Sequence, residues 1–295
     1  MEIEKTLIGK DGFLFLKNDA AKELEVHCNN LLIPSNDFYK KYEKYYDKML
    51  IIIFPNKSYI YKQFLPEGYI PIYRPAFHLY NNYFKEHLID GYKYLQDIED
   101  TYYKTDTHIN FKGAYIIYKV FVERINTLFN LNIIEEQLEL SKIDCESLSL
   151  LGIGIGDLTW DYNLGSQKLI NTKDTYYSSL KITDIYCKIK IGINNNIKLL
   201  ILQDGIFFDN TNNEVGNILD WNIISKYLLY NKNNEKNCID KKVLIFYDSF
   251  LLSSLSLYIK IFSEIYLCKQ IFSSEICDII NPDYIFEFRV ERFLL

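Results

Sequence analysis

Ser249 could act as a nucleophile because of its position after a buried strand. The apolar run Val243–Tyr247 is typical of a strand covered on both faces, and Asp248 and Ser249 follow it directly. Open parallel sheets bind ligands at the carboxyl ends of their strands. A helix predicted over 250–262 would also point its first N–H groups at an oxyanion. The same Asp-Ser pattern is found at an ordinary helix N-cap, so the position alone leaves both interpretations open.

A serine hydroxyl is a weak nucleophile without a base, and the chain contains 4 histidines. His27 and His87 lie in segments with helical spacing and charged neighbours, which predicts solvent-exposed positions. His78 has no acidic neighbour that could orient its ring.

His108 differs from these three because Asp106 precedes it by two residues. Residues two apart in an extended or turn conformation point to the same side of the chain. Asp106 could therefore accept a hydrogen bond from one ring nitrogen of His108 and leave the other for Ser249, as in a Ser-His-Asp triad. The alternative is a turn that only precedes the helix predicted over 111–127, for which Asn110 is the expected N-cap.

A sheet with several strand ends at one edge is needed to bring these residues together. The last third of the chain alternates strands and helices, which predicts a parallel sheet with helices on both faces. Earlier segments add a buried strand and two helices with apolar positions at helical spacing. The predicted strands are 49–54, 242–247, 265–268 and 284–288, and the predicted helices are 36–48, 82–99, 111–127, 250–262 and 271–280.

Residues 161–235 differ in composition from the rest of the chain. Short alternating runs are interrupted there by asparagine clusters at 194–196 and 210–213. This pattern predicts antiparallel strands and hairpins. We therefore expect one α/β catalytic domain over 1–295, with a β-rich insertion at about 161–235.

Composition and charge exclude several classes of protein. With 48% hydrophobic and 24% charged residues, the sequence is that of a globular protein rather than a disordered one. The net charge of −6 and the absence of dense Lys/Arg clusters argue against nucleic acid as a partner. They also argue against binding to an anionic membrane surface, so any membrane contact is expected only through a partner protein.

The sequence predicts no metal and no cofactor. Its 6 cysteines form no Cys-x-x-Cys pair and no zinc-ligand spacing with histidine. The glycines of Gly152–Gly156 do not have the spacing of a dinucleotide-binding loop. Free thiols, the absence of a signal peptide and the lack of a bilayer-length apolar run together predict a cytoplasmic protein.

Six short segments occur in an order that resembles the alginate O-acetyltransferase family, the AlgJ/AlgX-like group of SGNH hydrolases. They are Gly9–Leu16, Phe54–Lys57, Tyr103–His108, Gly156–Leu158, Tyr247–Phe250 and Pro282–Arg292. The resemblance implies an SGNH-hydrolase-like fold, a three-layer α/β structure around a parallel sheet. It also implies that Asp106 and His108 supply acid and base and that Ser249 is the nucleophile. Members of this family acetylate exopolysaccharides through an acetyl-enzyme, usually outside the cytoplasm.

The resemblance adds three candidates for contacts with the oxyanion or the substrate, namely Arg292, Arg289 and Tyr247. Pro282–Arg292 resembles the SGNH core strand that lies beside the serine strand, so both arginines should follow its carboxyl end. Arg292 is expected to face the site and Glu291 to hold it in place. The alternative is a solvated C-terminus with surface ion pairs. Tyr247 replaces the glycine that usually precedes Asp-Ser in the family.

The resulting prediction is a serine-dependent carbohydrate O-acetyltransferase that uses an acetyl donor of unknown identity and a carbohydrate acceptor. A carbohydrate acetylesterase with the same triad shares every step except the final acceptor. A non-catalytic carbohydrate-binding or assembly protein with this fold is the third possibility, suggested by Tyr247 and the aromatic-rich composition.

Overall fold

The computed structural model describes residues 6–17, 19–30, 36–144, 157–158 and 238–294, together with short strands between 160 and 232. In chain order the strands are β1 (Thr6–Ile8), β2 (Leu14–Leu16), β3 (Met49–Phe54), β4 (Leu88–Asp90), β5 (Ser141–Asp144), β6 (Trp160–Asp161), β7 (Ser166–Gln167), β8 (Thr175–Ser178), β9 (Leu199–Leu202), β10 (Gly205–Phe208), β11 (Leu228–Lys232), β12 (Ile239–Tyr247), β13 (Phe262–Cys268) and β14 (Tyr284–Val290). The α-helices are α1 (Glu23–Asn29), α2 (Lys57–Ile60), α3 (Pro75–Phe84), α4 (Gly91–Leu95), α5 (Phe111–Phe129), α6 (Leu255–Tyr258) and α7 (Ser274–Ile280). Segments of 3₁₀ helix are Lys10–Gly12, Asn36–Lys48, Lys62–Phe64, Lys85–His87, Ser249–Ser253 and Glu291–Phe293.

The apolar runs form the central sheet, whose strand order is β11-β13-β12-β14-β3-β4. Strands β13, β12, β14, β3 and β4 are parallel, and β11 is antiparallel at one edge. Every residue of β3 is buried, as expected for a strand covered on both faces. The expected parallel neighbour of the serine strand is β14, in which Phe288 is paired with Tyr247. The structure therefore confirms the predicted parallel α/β architecture.

The two faces of the sheet are covered by two hydrophobic cores. The first core packs residues of α1, α2, α5 and α6 against one face. The second packs the Asn36–Lys48 segment, α3 and α7 against the other. Side chains alternate between the faces along each strand, so Phe286 and Phe288 of β14 enter the first core and Ile285 enters the second. The result is a three-layer structure.

The helix predicted after Asn110 is α5, and its start fixes the position of His108. The Asn110 side chain accepts a hydrogen bond from the Gly113 N–H at 3.1 Å, which is the expected N-cap. Gly113 is required there, because a Cβ atom would lie 2.5 Å from the main-chain oxygen of Thr101. Since this close contact holds the start of α5, the loop before it is also held.

Two predicted helices differ from the structure. The helix predicted over 250–262 is divided at Ser254, whose φ of −133° is not helical, into the Ser249–Ser253 segment and α6. The chain therefore continues after Ser254 as a separate α-helix. The helix predicted over 82–99 is interrupted by β4, because pairing with β3 overrides the local helical spacing.

The stretch that was predicted to be rich in strands contains antiparallel pairs. Strand β8 pairs with β5, β7 with β6 and β10 with β9, while β11 joins the central sheet. The asparagine clusters at 194–196 and 210–213, and Gly152–Gly156, lie outside the described residues. The assignment of one catalytic domain with an insertion stays a prediction.

Two observations bear on the predicted environment of the protein. Within the part of the chain that the structure describes, no helix is both long enough and apolar enough to cross a bilayer. Cys28 and Cys277 are free thiols, and Cys145 and Cys187 lie outside the described residues. The compartment stays a prediction.

Candidate active site

Ser249, His108 and Asp106 form one hydrogen-bonded chain at the carboxyl edge of the sheet. His108 Nδ1 lies 2.6 Å from Asp106 Oδ1, and His108 Nε2 lies 2.7 Å from Ser249 Oγ. A carboxylate can only accept, so the proton of the neutral ring is on Nδ1 and Nε2 presents a lone pair. The Ser249 hydroxyl therefore donates to Nε2. The structure brings together the three residues that the sequence singled out, and the arrangement can deprotonate the hydroxyl.

Lys57 fixes the loop that carries Asp106. Its ammonium group donates to the main-chain oxygens of Tyr103, Lys104 and Asp106 at 3.2, 3.1 and 2.7 Å. The side chain is buried, so these three acceptors replace the water that a lysine normally binds. The sequence identified the Phe54–Lys57 segment only through the family resemblance. Its one local signal is a lysine directly after a buried strand.

The Asp106 carboxylate accepts hydrogen bonds on both oxygens. Oδ1 accepts from the main-chain N–H of His108 at 2.9 Å as well as from the ring, and Oδ2 accepts from the Asp157 N–H at 3.0 Å. Burial favours the protonated acid, but the hydrogen bond and charge of His108 outweigh it and hold the pKa of Asp106 below its ordinary range. Asp106 therefore stays ionised and fixes the tautomer of the ring.

The charges around His108 favour its protonated form. Burial alone would lower the pKa of the ring, but the hydrogen bond to Asp106 and the charges of Asp106 and Asp157 raise it above its ordinary value, while Arg292 opposes them. The side chain is 27% exposed, so the ring is accessible from the crevice. An imidazolium formed during proton transfer would be stabilised there.

Asp157 is a second carboxylate at the site, and the sequence assigned it no role. Its side chain accepts from the Thr107 N–H at 2.8 Å and from the Thr107 hydroxyl at 2.7 Å. Its Oδ2 lies 3.9 Å from His108 Nδ1. Asp157 therefore holds the loop between the two catalytic candidates. Only the resemblance of Gly156–Leu158 to the family pointed to this region, because the contact joins segments far apart in the chain.

Asp248 takes the capping role that could otherwise have explained the Asp-Ser pattern. Its Oδ1 accepts from the Phe250 N–H at 2.9 Å, and its Oδ2 accepts from the Val290 N–H at 2.7 Å. Burial raises the pKa of Asp248 above its ordinary value. Because the cap is Asp248, the hydroxyl of Ser249 is left to bind His108.

Arg292 lies close to the triad, and its hydrogen-bond partners are not the expected one. Its Nη1 donates to Glu23 Oε2 and to Asn56 Oδ1, each at 3.2 Å. The guanidinium lies 5.2 Å from the centre of the Phe250 ring, and that ring lies 5.0 Å from the His108 ring. Phe250 therefore contacts both the base and the arginine. The side chain of Arg292 is only 6% exposed, which excludes the solvated C-terminus as its environment.

The expectation that Glu291 holds Arg292 is wrong. Glu291 is buried and binds Arg74 instead, accepting from Nε at 2.9 Å and from Nη2 at 2.7 Å. Adjacent residues point in different directions, so Glu291 and Arg292 enter different polar clusters.

Arg289 and Tyr247, the other two candidates, are both buried. Arg289 shares the second face of the sheet with Glu287, to which its Nε donates at 3.2 Å. Tyr247 packs into the first core at the end of β12. These contacts involve neither Ser249 nor His108, so the roles of Arg289 and Tyr247 in binding stay predictions.

His27 and His87 are buried, and the prediction that they are exposed is wrong. His27 Nδ1 donates to the main-chain oxygen of Tyr73 at 2.6 Å, and His87 Nδ1 donates to that of Met49 at 2.8 Å. A neutral imidazole can be buried when its N–H has such a partner. Charged neighbours in the sequence therefore do not indicate whether these two rings are exposed. His78 is exposed, as expected of a residue outside the site.

Asp106, His108 and Asp157 are the one described group whose ligand atoms lie close enough to hold a metal ion, within 4.8 Å of one another. A cation bound to His108 Nδ1 would displace the proton that this nitrogen donates to Asp106. The same atoms cannot serve both arrangements at once.

The fold is similar to those of solved structures over nearly the whole chain. PatB1 of Bacillus cereus has a TM-score of 0.57 at 15% identity, over 96% of this chain and 95% of that one. The O-acetyltransferase domain of Pseudomonas putida AlgJ has a TM-score of 0.52 at 13% identity, over 98% and 91%. A DHHW family protein from Eubacterium siraeum has a TM-score of 0.50 at 17% identity, over 98% and 94%.

No family model matches the sequence, and no curated protein does. At these identities the structural likeness shows a shared fold. The three-layer α/β architecture around a parallel sheet, which the sequence resemblance implied, is therefore confirmed at the level of the fold.

Proposed function

We propose that the protein is a serine-dependent carbohydrate O-acetyltransferase that works through an acetyl-enzyme on Ser249. The observation that carries the proposal is the chain of two short hydrogen bonds from Ser249 through His108 to Asp106. Nucleophile, base and orienting acid stand in the order that nucleophilic acyl transfer requires. The shared fold with an O-acetyltransferase domain supports the choice of acetyl as the group transferred.

In the first half-reaction His108 Nε2 takes the proton of Ser249 while Oγ attacks the carbonyl carbon of the acetyl donor. The tetrahedral intermediate collapses, and the leaving group departs with the proton held by His108. In the second half, His108 takes the proton of a sugar hydroxyl, whose oxygen attacks the acetyl-serine. Ser249 then leaves as the alkoxide and regains a proton from His108. Asp106 stabilises the imidazolium in both halves.

The oxyanion formed in each half needs positive charge or N–H donors. The Ser249 N–H is one candidate, but the helical segment behind it has only 5 residues, so its aligned dipoles are few. Arg292 is the second. Its Nε is buried and has no hydrogen-bond partner within the described residues. The charge of its guanidinium lies beside Phe250, which also contacts His108, and would stabilise a negative charge formed at Ser249.

Acetylesterase activity with the same triad is the second function we consider. Both His108 and Asp106 are partly exposed, at 27% and 22% of their side chains, so water can reach the reacting atoms. Water would then resolve the acetyl-enzyme in place of a sugar. The acceptor decides between the two activities, whereas a non-catalytic binding protein would form no acetyl-enzyme at all.

Hydrolysis of p-nitrophenyl acetate tests the proposal. We expect slow turnover by the wild-type protein and its loss in Ser249→Ala and in His108→Ala, because each removes a group that takes part in bond making. Ser263→Ala is the matched control, since Ser263 lies on β13 and its hydroxyl donates to Asp240 on β12. Undiminished hydrolysis by Ser249→Ala would exclude Ser249 as the nucleophile. Acetylated sugar among the products would identify a transferase.

A further inference from the structure

Helix α1 contacts Arg292 through two residues that are one helical turn apart. Glu23 accepts from Arg292 Nη1 directly at 3.2 Å. His27 reaches the same Nη1 through Asn56, whose Nδ2 lies 2.7 Å from His27 Nε2 and whose Oδ1 accepts from Arg292. Residues four apart lie on the same face of a helix, so α1 presents both groups to one guanidinium.

Only one arrangement of protons satisfies the hydrogen-bond chain His27–Asn56–Arg292. Arg292 can only donate, so the Asn56 atom that faces it is the oxygen and the amide NH₂ faces His27. His27 Nε2 must then accept, and the ring proton must be on Nδ1. That nitrogen faces the main-chain oxygen of Tyr73 at 2.6 Å, which can only accept. Both ends of the chain thus impose the same orientation on Asn56.

Burial restricts the side chains that hold Arg292. Asn56, His27 and Glu23 are all buried. Glu23 also accepts from the Ser58 hydroxyl through Oε1, which leaves Oε2 for Arg292. A buried polar chain in which every member has its partner is rigid.

We infer that α1 is a positioning element for Arg292, in which Glu23 and the His27–Asn56 pair hold Nη1 and so keep the positive charge of the guanidinium beside Phe250 and the triad. The inference rests on the function proposed for Arg292. It assigns Asn56 and His27 as positioning residues, which act on the reaction through the guanidinium. It also explains why Nη1 has two acceptors, the buried side chains of Glu23 and Asn56.

A double-variant cycle on acetyl ester hydrolysis tests the inference. Arg292→Ala is expected to lower kcat at least about tenfold, because one donor to an oxyanion is worth that much or more. Asn56→Ala should lower kcat in the same direction, and adding it to Arg292→Ala should cause no further loss. Two independent, multiplying losses would overturn the inference. Asn126→Ala is the control, since Asn126 also makes two hydrogen bonds, to Ile133, far from Arg292.

The ring nitrogens of His27 give a readout that does not depend on activity. In ¹⁵N NMR we expect His27 to carry its proton on Nδ1 in the wild-type protein, and the signal is assigned by its loss in His27→Gln. His87→Gln is the matched control, because His87 is also buried and also donates to a main-chain oxygen. A proton on His27 Nε2 would contradict the hydrogen-bond chain from His27 through Asn56 to Arg292. Normal kcat in Arg292→Ala would instead refute the function proposed for Arg292, whatever the NMR result.

Discussion

Two buried arginines lie at the same end of the sheet, and their surroundings differ. Arg74 donates from Nε, Nη1 and Nη2 to the carboxylates of Asp90 and Glu291, at distances of 2.7 to 3.1 Å. Its guanidinium also lies 4.0 Å from the centre of the Phe77 ring. Arg292, the residue after Glu291, uses only Nη1, and its Nε has no partner among the described residues.

The difference separates a region built for stability from one built for chemistry. Burial lowers the pKa of Arg74, but the two carboxylates outweigh it and raise that pKa above its ordinary value, so the cluster is a closed ion network. It ties α3 and β4 to the end of β14. Around Arg292 and the triad, by contrast, donor capacity is left open and the base is partly exposed. Incomplete pairing of this kind is expected more often at functional sites than elsewhere in a protein.

The largest expected effect is on kcat, and it comes from Asp106→Asn in the triad. The amide cannot hold His108 in the same tautomer or stabilise the imidazolium, so kcat should fall by roughly 10⁴-fold. Steady-state hydrolysis of p-nitrophenyl acetate measures this. The melting temperature should change little, and a loss of less than tenfold would contradict the role assigned to Asp106.

Breaking the ion network should affect stability instead of turnover. Arg74→Met leaves Asp90 and Glu291 buried without their counter-charge, which should lower the free energy of unfolding by about 3–5 kcal/mol. Arg292→Met is the matched variant and should lower kcat with a smaller change in stability. Urea unfolding gives the free energy of unfolding of both variants, and ester hydrolysis gives their kcat. If the two variants lost stability equally and kept normal kcat, the distinction between the regions would be wrong.

The smallest expected effect is a shift in the pH profile of Asp157→Asn. Hydrolysis requires neutral His108, so kcat/KM rises with pH through the pKa of that ring. The Asp157 carboxylate helps to raise this pKa, so its removal should move the rising limb to lower pH. Asp283→Asn, which removes an exposed carboxylate paired with Lys241, should leave the limb in place. A shift to higher pH in Asp157→Asn would contradict the electrostatic account.

The sequence predicted the parts of the molecule that depend on local pattern. Apolar runs located β3, β12, β13 and β14, because strands buried on both faces have few polar residues. The Asp-x-His spacing and the position of Ser249 after a buried strand identified the three residues that the structure brings together. Each of these signals is contained in a few consecutive residues of the chain.

Long-range contacts could not be predicted in this way. Lys57 and Asp157 hold the loop of Asp106 from segments about 50 residues away, and no local pattern assigns them that role. The burial of His27 likewise depends on Tyr73 and Asn56, which lie far from it in the sequence. The expected pair of Glu291 with Arg292 is absent for the same reason. The acceptors of Arg292 are Glu23 and Asn56, which lie more than 200 residues away in the sequence.

Detection of the acetyl-enzyme tests the central claim most directly. The protein is incubated with p-nitrophenyl acetate, quenched in acid, digested and examined by mass spectrometry. We predict one added acetyl group on the peptide that contains Ser249, located on Ser249 by fragmentation and absent from Ser249→Ala. Hydrolysis that proceeds with the acetyl group on a different residue, or equally in Ser249→Ala, would contradict the account.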